Sequence, residues 1–192
     1  MTTTPVHTRR RGAELEAALH TATLAELTAV GYGRLTMEGV AARARTGKAA
    51  VYRRWPTKHE LVLAALRYAM PPVPDIDPDR PARDNLLAVF TTLRDVLAGR
   101  TAFPSITIFG ELLREPTLRT MFTEAIVAPR LRVIESILRR AERNAEIAPD
   151  TLTPLAALVG PALIMQTFLL TGNPPTRREL IRIIETVLPQ PS

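Results

Sequence analysis

Apolar residues along this chain recur at spacings of three and four, and the alternation that marks a strand is nearly absent. Seventeen prolines and nine glycines cut that pattern into short pieces. A chain built this way is expected to be all-α. The first helix is expected over about 13–30, with Leu15, Leu19, Thr23, Leu27 and Val30 on one face and Gly31-Tyr32-Gly33 as its stop. Thr36 reads as an N-cap for a short helix over about 37–44. Arg45-Thr46-Gly47 breaks it, and a second short helix follows over about 48–54. Trp55-Pro56-Thr57 ends that one, and Thr57 caps a helix over about 58–70. Six more are expected at about 82–98, 104–114, 116–127, 129–145, 152–171 and 176–188, which brings the total to about nine or ten.

Charge divides the chain more sharply than helix periodicity does. Residues 1–70 hold eleven Lys/Arg and five Asp/Glu, while residues 71–192 hold fourteen of each. The net charge of +6 therefore sits entirely in the first third. A GC-rich coding background accounts for 23 arginines against two lysines, but not for their concentration in one place. A basic module on a neutral body points to a polyanion partner. The expected organisation is a basic arm at 1–11, a basic helical module at 12–70, a proline- and aspartate-rich linker at 71–81, and a larger helical domain at 82–192.

Other classes fall away on composition. With no cysteine there is no disulfide framework, thiolate metal site or cysteine nucleophile, which fits a reducing cytoplasm. No apolar h-region follows the basic N-terminus, so no secretory signal is expected. The apolar run from Leu155 to Leu170 contains Pro161, Gln166 and Thr167 and falls short of the roughly 20 residues of a membrane span. It reads as a buried helix. The three histidines, His7, His20 and His59, lie in the basic module, and none follows a glutamate at the spacing of a helical di-metal site. His20 is expected at the surface or edge of the first helix. No Gly-rich phosphate loop or Gly-x-Ser-x-Gly is present. The reading is a non-enzyme with no catalytic residue, metal or cofactor.

Two short helices joined by a three-residue turn, inside a basic module, form a helix-turn-helix pattern over about 36–55. Val40, Ala44 and Val51 can pack the two helices together, and Ala41 is small enough for a close crossing. The second helix then presents Lys48, Ala49, Tyr52 and Arg53 outward. Tyr52 and Lys58 can reach phosphates, and the helix N-termini at Thr36 and Thr57 can each seat one.

Residues 35–66, from Leu-Thr-Met-Glu-Gly-Val-Ala-Ala-Arg-Ala through Val-Tyr-Arg-Arg-Trp-Pro-Thr-Lys-His-Glu-Leu, resemble the DNA-binding domain of TetR-family transcriptional regulators. The Gly31-Tyr32 element and the tail Tyr52-x-x-Trp55-x-x-Lys58-x-x-Leu61 match as well. The resemblance is specific across about residues 12–68. Beyond that it rests on helix count, on length, and on a likeness to Arg/Pro-rich actinobacterial members. It implies a homodimer that binds operator DNA, represses, and is released by a small ligand in the C-terminal domain. It further implies that Thr36 holds a phosphate, that Gly47, Lys48, Ala49 and Arg53 face bases, and that Ala50, Tyr52, Arg54 and Lys58 contact the backbone. Trp55 would be part core and part backbone support. Two heads would enter successive major grooves roughly 34–36 Å apart. Ligand binding would shift the fourth helix through the linker.

Arg45 departs from this pattern, since the family commonly has glycine there for a left-handed turn. A non-glycine residue in that conformation costs roughly 1–2 kcal/mol. Either the turn bears that strain, or Gly47 takes the tight position and the next helix starts later. Arg45 is a candidate phosphate contact or a solvated side chain.

In the larger domain, the candidate ligand-pocket residues are Phe90, Leu93, Leu97, Phe109, Leu112, Met121, Phe122, Met165 and Phe168. Scarce buried charge points to an apolar or aromatic ligand. Leu155, Leu158 and Leu163 on one helix, with Ile181, Ile184 and Leu188 on the last, are the candidate dimer interface. A monomer that buries them internally is the alternative. Gly160-Pro161 is expected to kink its helix. Two other functions stay open: a DNA-binding protein without an effector, which a C-terminal cavity of roughly 300 Å³ would argue against, and a basic surface for an acidic protein partner.

Overall fold

The computed structural model describes residues 12–148 and 152–188. The expected basic arm at 1–11 and the end of the last helix at Pro189 lie outside them. Every regular element among the described residues is helical. The chain divides into two compact units between Tyr68 and Ala69.

The first unit contains α1 (Ala13–Arg34), α2 (Met37–Arg43), α3 (Lys48–Tyr52) and most of α4 (Lys58–Ala69). Gly31, at φ 76 and ψ 165, breaks the regular geometry of α1 where the stop was expected. Leu19, Thr23 and Leu27 of the expected face are buried. Val40, Ala41, Ala44 and Val51 are also buried, so small side chains bring α2 and α3 together. Leu61, Val62, Ala65 and Leu66 of α4 complete the core.

His20 corrects one expectation. Its ring is 7% exposed, with centroids 5.3 Å from Trp55 and 4.8 Å from Tyr68. Among the described residues neither ring nitrogen has a hydrogen-bond partner. Burial pushes its pKa below the ordinary 6.5, against a smaller upward pull from Glu16. The imidazole therefore serves as a neutral aromatic in the core.

The second unit contains α5 (Ala82–Leu97), α6 (Ser105–Arg114), α7 (Pro116–Phe122), α8 (Ala128–Arg143), α9 (Ala156–Thr171) and α10 (Arg177–Val187). Its core joins Leu86 and Phe90 of α5, Ile134, Ile137 and Leu138 of α8, Ile164 and Phe168 of α9, and Leu180 and Ile184 of α10. The proline-rich stretch expected as a linker belongs to this unit. Buried Asn85 donates from Nδ2 to the carbonyls of Asp77 and Arg80 at 2.9 and 3.2 Å and accepts the Asp77 N–H at 3.3 Å.

One helix junction differs from the sequence reading. Helices were expected to break before Pro129, but α7 runs into α8 through a π-helical turn, Thr123–Val127. The Ala128 N–H reaches back to the Thr123 carbonyl, and this wider turn accommodates a proline that has no donor of its own. Gly160 has a packing role. A Cβ there would lie 2.1 Å from Cζ of the Phe90 ring, so only glycine lets α9 approach α5 so closely. At the start of α10, Thr176 and Glu179 form a reciprocal capping box.

Candidate nucleic-acid interface and a cavity in the larger unit

The turn between α2 and α3 is closed by two backbone hydrogen bonds. The Arg45 N–H donates to the Ala42 carbonyl at 3.0 Å, and the Thr46 N–H to the Ala41 carbonyl at 3.0 Å. This C-terminal cap requires a left-handed residue after the last helical turn. Arg45 fills that position at φ 54, whereas Gly47 is extended at φ −77 and ψ 145. The turn thus bears the strain, and Gly47 serves as N-cap of α3.

That register puts Lys48, Ala49, Tyr52 and Arg53 on the exposed side of α3 and Val51 in the core behind them. Arg45 and Gly47 are exposed beside them. Thr36 caps α2, its Oγ1 accepting the Gly39 N–H at 3.0 Å. The Tyr52 hydroxyl donates to Oε1 of Glu38 at 3.2 Å. That bond and the nearby carboxylate charge raise the phenol pKa. Glu38 was missed as a positioning partner, because fourteen residues separate the pair in sequence and only the fold brings them together.

Three groups expected at the DNA backbone have partners within the chain. Ala50 is buried, and its N–H is taken by the Gly47 carbonyl at 2.9 Å. Lys58 turns its ammonium onto the end of α1, 2.9 Å from the Tyr32 carbonyl and 4.3 Å from the centre of the Tyr32 ring. There it neutralises the negative end of the helix. The N-terminus of α4, expected to seat a phosphate at Thr57, holds the Glu60 carboxylate instead, 2.9 Å from the Thr57 N–H. Arg54 is half-buried and donates from Nη1 to the Ala50 carbonyl at 3.0 Å, which orients the side chain along α3. Trp55, expected as part core and part support, is core at 8% exposure.

The second unit encloses a cavity of about 180 Å³. Phe90, Leu93, Phe122 and Met165, four of the candidate ligand-pocket residues, line it. Leu97 and Phe168 instead pack in the solid core, and buried Leu112 and half-buried Met121 lie outside the wall. The side chain of Phe109 lies outside the described residues. The wall also takes in Met70, Val73 and Pro74, which directly follow α4 in the chain, and Phe103, Ile126 and Arg130. Met70, Val73, Pro74 and Arg130 were missed because no periodic pattern marks the segment after α4, and because an arginine on an amphipathic helix reads as solvated.

On the outside of this unit, α9 exposes Leu155, Leu158, Val159, Leu169 and Leu170, the last at 77%. Leu163 and Ile181 are half-buried. Ile184 and Leu188 are removed from the expected interface, since both lie in the chain's own core. Among the described residues, no cluster of His, Cys, Asp and Glu could hold a metal, and no helix is long and apolar enough to cross a membrane.

Residues 19–65 match the family described as bacterial regulatory proteins, tetR family, and residues 77–187 match the tetracyclin repressor-like C-terminal domain. The chain is 32% identical to the uncharacterized HTH-type transcriptional regulator Rv1556 of Mycobacterium tuberculosis over 90% of its length and 85% of that protein's. It is 31% identical to the DNA-binding transcriptional repressor TetR of Mycobacteroides abscessus, over 93% of this chain and 94% of that one. Among solved structures, the flavonoid-responsive regulator FrrA superposes with a TM-score of 0.65 at 19% identity, covering 92% of this chain and 94% of the other, which is a likeness of fold.

Proposed function

The chain belongs to the TetR family, whose members are DNA-binding transcriptional regulators and not enzymes, and on that premise we propose that it is a cytoplasmic homodimeric repressor released from its operator by a small, largely apolar ligand. The observation that carries the DNA-binding part is the exposed face of α3. Lys48, Ala49, Tyr52 and Arg53 project from a helix whose register is pinned by the left-handed Arg45. Lys48 and Arg53 read base edges, and the small Ala49 lets the backbone approach them. Thr36, Arg45 and Arg54 hold phosphates, and the Tyr52 hydroxyl exchanges Glu38 for one on binding.

Repression is supported by the relative from Mycobacteroides abscessus, which carries that description. Dimerisation is supported by α9. Five large apolar side chains exposed on one helix make a surface that monomeric proteins rarely leave open. Leu155, Leu158, Val159, Leu169 and Leu170 form that face, half-buried Leu163 and Ile181 are its further candidates, and a second copy covers it.

The ligand part rests on the cavity. Its 180 Å³ falls below the roughly 300 Å³ of ordinary small-molecule pockets. That shortfall favours a second reading, a DNA-binding protein without an effector. The apolar cavity still exceeds the roughly 150 Å³ that suffices to bind benzene in an engineered protein, and flexible Met70 and Met165 in the wall give it room to widen.

Selection of bound duplexes from a random pool at physiological salt tests the DNA reading. A palindromic site is expected. Lys48→Ala should cost about 1–3 kcal/mol on that site and less on random DNA. Equal losses on both would remove Lys48 from the base-reading set, and recovery of no motif would leave the basic face as a non-specific or protein-binding surface.

A further inference from the structure

We propose that the cavity of the second unit takes an uncharged hydrocarbon of about one ring and rejects molecules of the same size that carry a hydroxyl or a charge. The inference deepens the reading of this cavity as the ligand site and rests on it. Among the described residues that line the cavity, only Thr92 and Arg130 carry a nitrogen or oxygen in the side chain. Both are committed to the backbone. The Thr92 hydroxyl donates to the Ala88 carbonyl at 3.1 Å. Arg130 donates from Nη1 to the Ile126 carbonyl at 2.8 Å and from Nη2 to the Pro71 carbonyl at 2.7 Å, so its guanidinium is turned onto the chain. Most of the wall comes from α5, the π-helical turn, α8 and α9, where N–H and C=O groups pair along the helix. The surface left to a ligand is almost wholly apolar.

Such a wall discriminates by what it withholds. A hydroxyl that enters gives up its hydrogen bonds to water and finds no partner, and an ionised group loses more. A hydrocarbon gives up nothing and gains the transfer of its apolar surface out of water. Size and shape narrow the class. The volume of about 180 Å³ is close to the roughly 150 Å³ that holds benzene in an engineered protein. Phe90, Phe103 and Phe122 set three aromatic rings in the wall, the last two with centroids 6.1 Å apart. A further ring can pack against their edges and faces.

NMR of the full-length protein with isotope-labelled methionine methyls tests the proposal, because Met70 and Met165 line the cavity. The probes are toluene against phenol and ethylbenzene against benzyl alcohol, each pair exchanging a methyl for a hydroxyl at nearly equal size. Both hydrocarbons are expected to shift the Met70 and Met165 signals and to bind at least about tenfold more tightly than their hydroxyl partners, the scale of one hydroxyl buried without a partner. Benzoate is expected not to bind there. Val96 is 3% exposed in the wall, and Val96→Thr sets a hydroxyl on it. That variant is expected to narrow the gap within each pair by about threefold or more. An unchanged gap would overturn the role of the wall in the discrimination. If the variant does not fold, the paired probes on the unaltered protein decide the matter. Phenol or benzoate shifting both methyls as tightly as toluene would overturn the hydrocarbon assignment and leave the cavity as a ligand site. Toluene binding that leaves both methyls unmoved, or no binding by any probe, would bring down the cavity reading, and the hydrocarbon assignment with it.

Discussion

The turn that sets α3 and the cavity in the larger unit use the same helical material in opposite ways. Around the turn, side chains are committed to fixed partners: Thr36 to its cap, Tyr52 to Glu38, Lys58 to the end of α1, and Arg43 to Glu26 at 2.7 Å. The backbone there holds a left-handed arginine. Around the cavity, the wall is apolar side chains in van der Waals contact, two of them methionines, and space is left unfilled. Hydrogen bonds and caps fix geometry within tenths of an ångström, which suits a surface that must match base edges. Apolar packing is non-directional and can rearrange, which suits the ligand site proposed for the cavity. The difference teaches that rigidity is local to the reading surface rather than a property of the whole chain.

The largest expected effect falls on the packed side of that contrast. Gly160→Ala should destabilise the protein by about 2 kcal/mol or more, because the new Cβ meets the Phe90 ring. Urea unfolding measures it, and a Phe90→Leu background should recover part of the loss. Full tolerance of alanine would mean that this side of the cavity is as deformable as the methionine side.

Arg45→Gly should stabilise the protein by about 1 kcal/mol by relieving the left-handed strain. No gain would mean that neighbouring contacts compensate the strain. Measured in parallel, operator affinity tells whether Arg45 also holds a phosphate, since that contact would be lost with the side chain.

The smallest effect concerns pH. The folded-state pKa of His20 lies below its ordinary value of 6.5, because burial disfavours the charged ring. Below about pH 6.5 the unfolded chain takes up a proton that the folded chain refuses, so stability falls as pH drops and levels off once the folded-state pKa is passed. His20→Phe should flatten this dependence while keeping the ring packed against Trp55 and Tyr68. An unchanged pH profile would place the titrating group elsewhere.

The helix-turn-helix was legible because local rules set it. Thr36 as cap, Gly31 as stop, and small residues at the crossing of α2 and α3 each act within a few residues of themselves, and the exposed face of α3 follows from them. Failures came where a distant partner decided the outcome. Ala50 and Ala49 are chemically identical neighbours, and only the packing behind α3 makes one core and the other surface. Lys58 reads as a phosphate donor until the end of α1 lies within reach of it.

Sequence alone determined the all-α class, the position of the turn, the charge asymmetry and the apolar character of the larger unit. Each of these follows from periodicity, capping chemistry or composition, which need no knowledge of distant residues. Tertiary structure alone decided that Arg45 rather than Gly47 takes the left-handed position, that Gly160 exists for the Phe90 ring, that Ile184 and Leu188 are core rather than interface, and that Arg130 lines a cavity. These outcomes depend on which helices lie side by side. A residue's role is then set by neighbours tens of residues away, through shape and burial that no local pattern encodes.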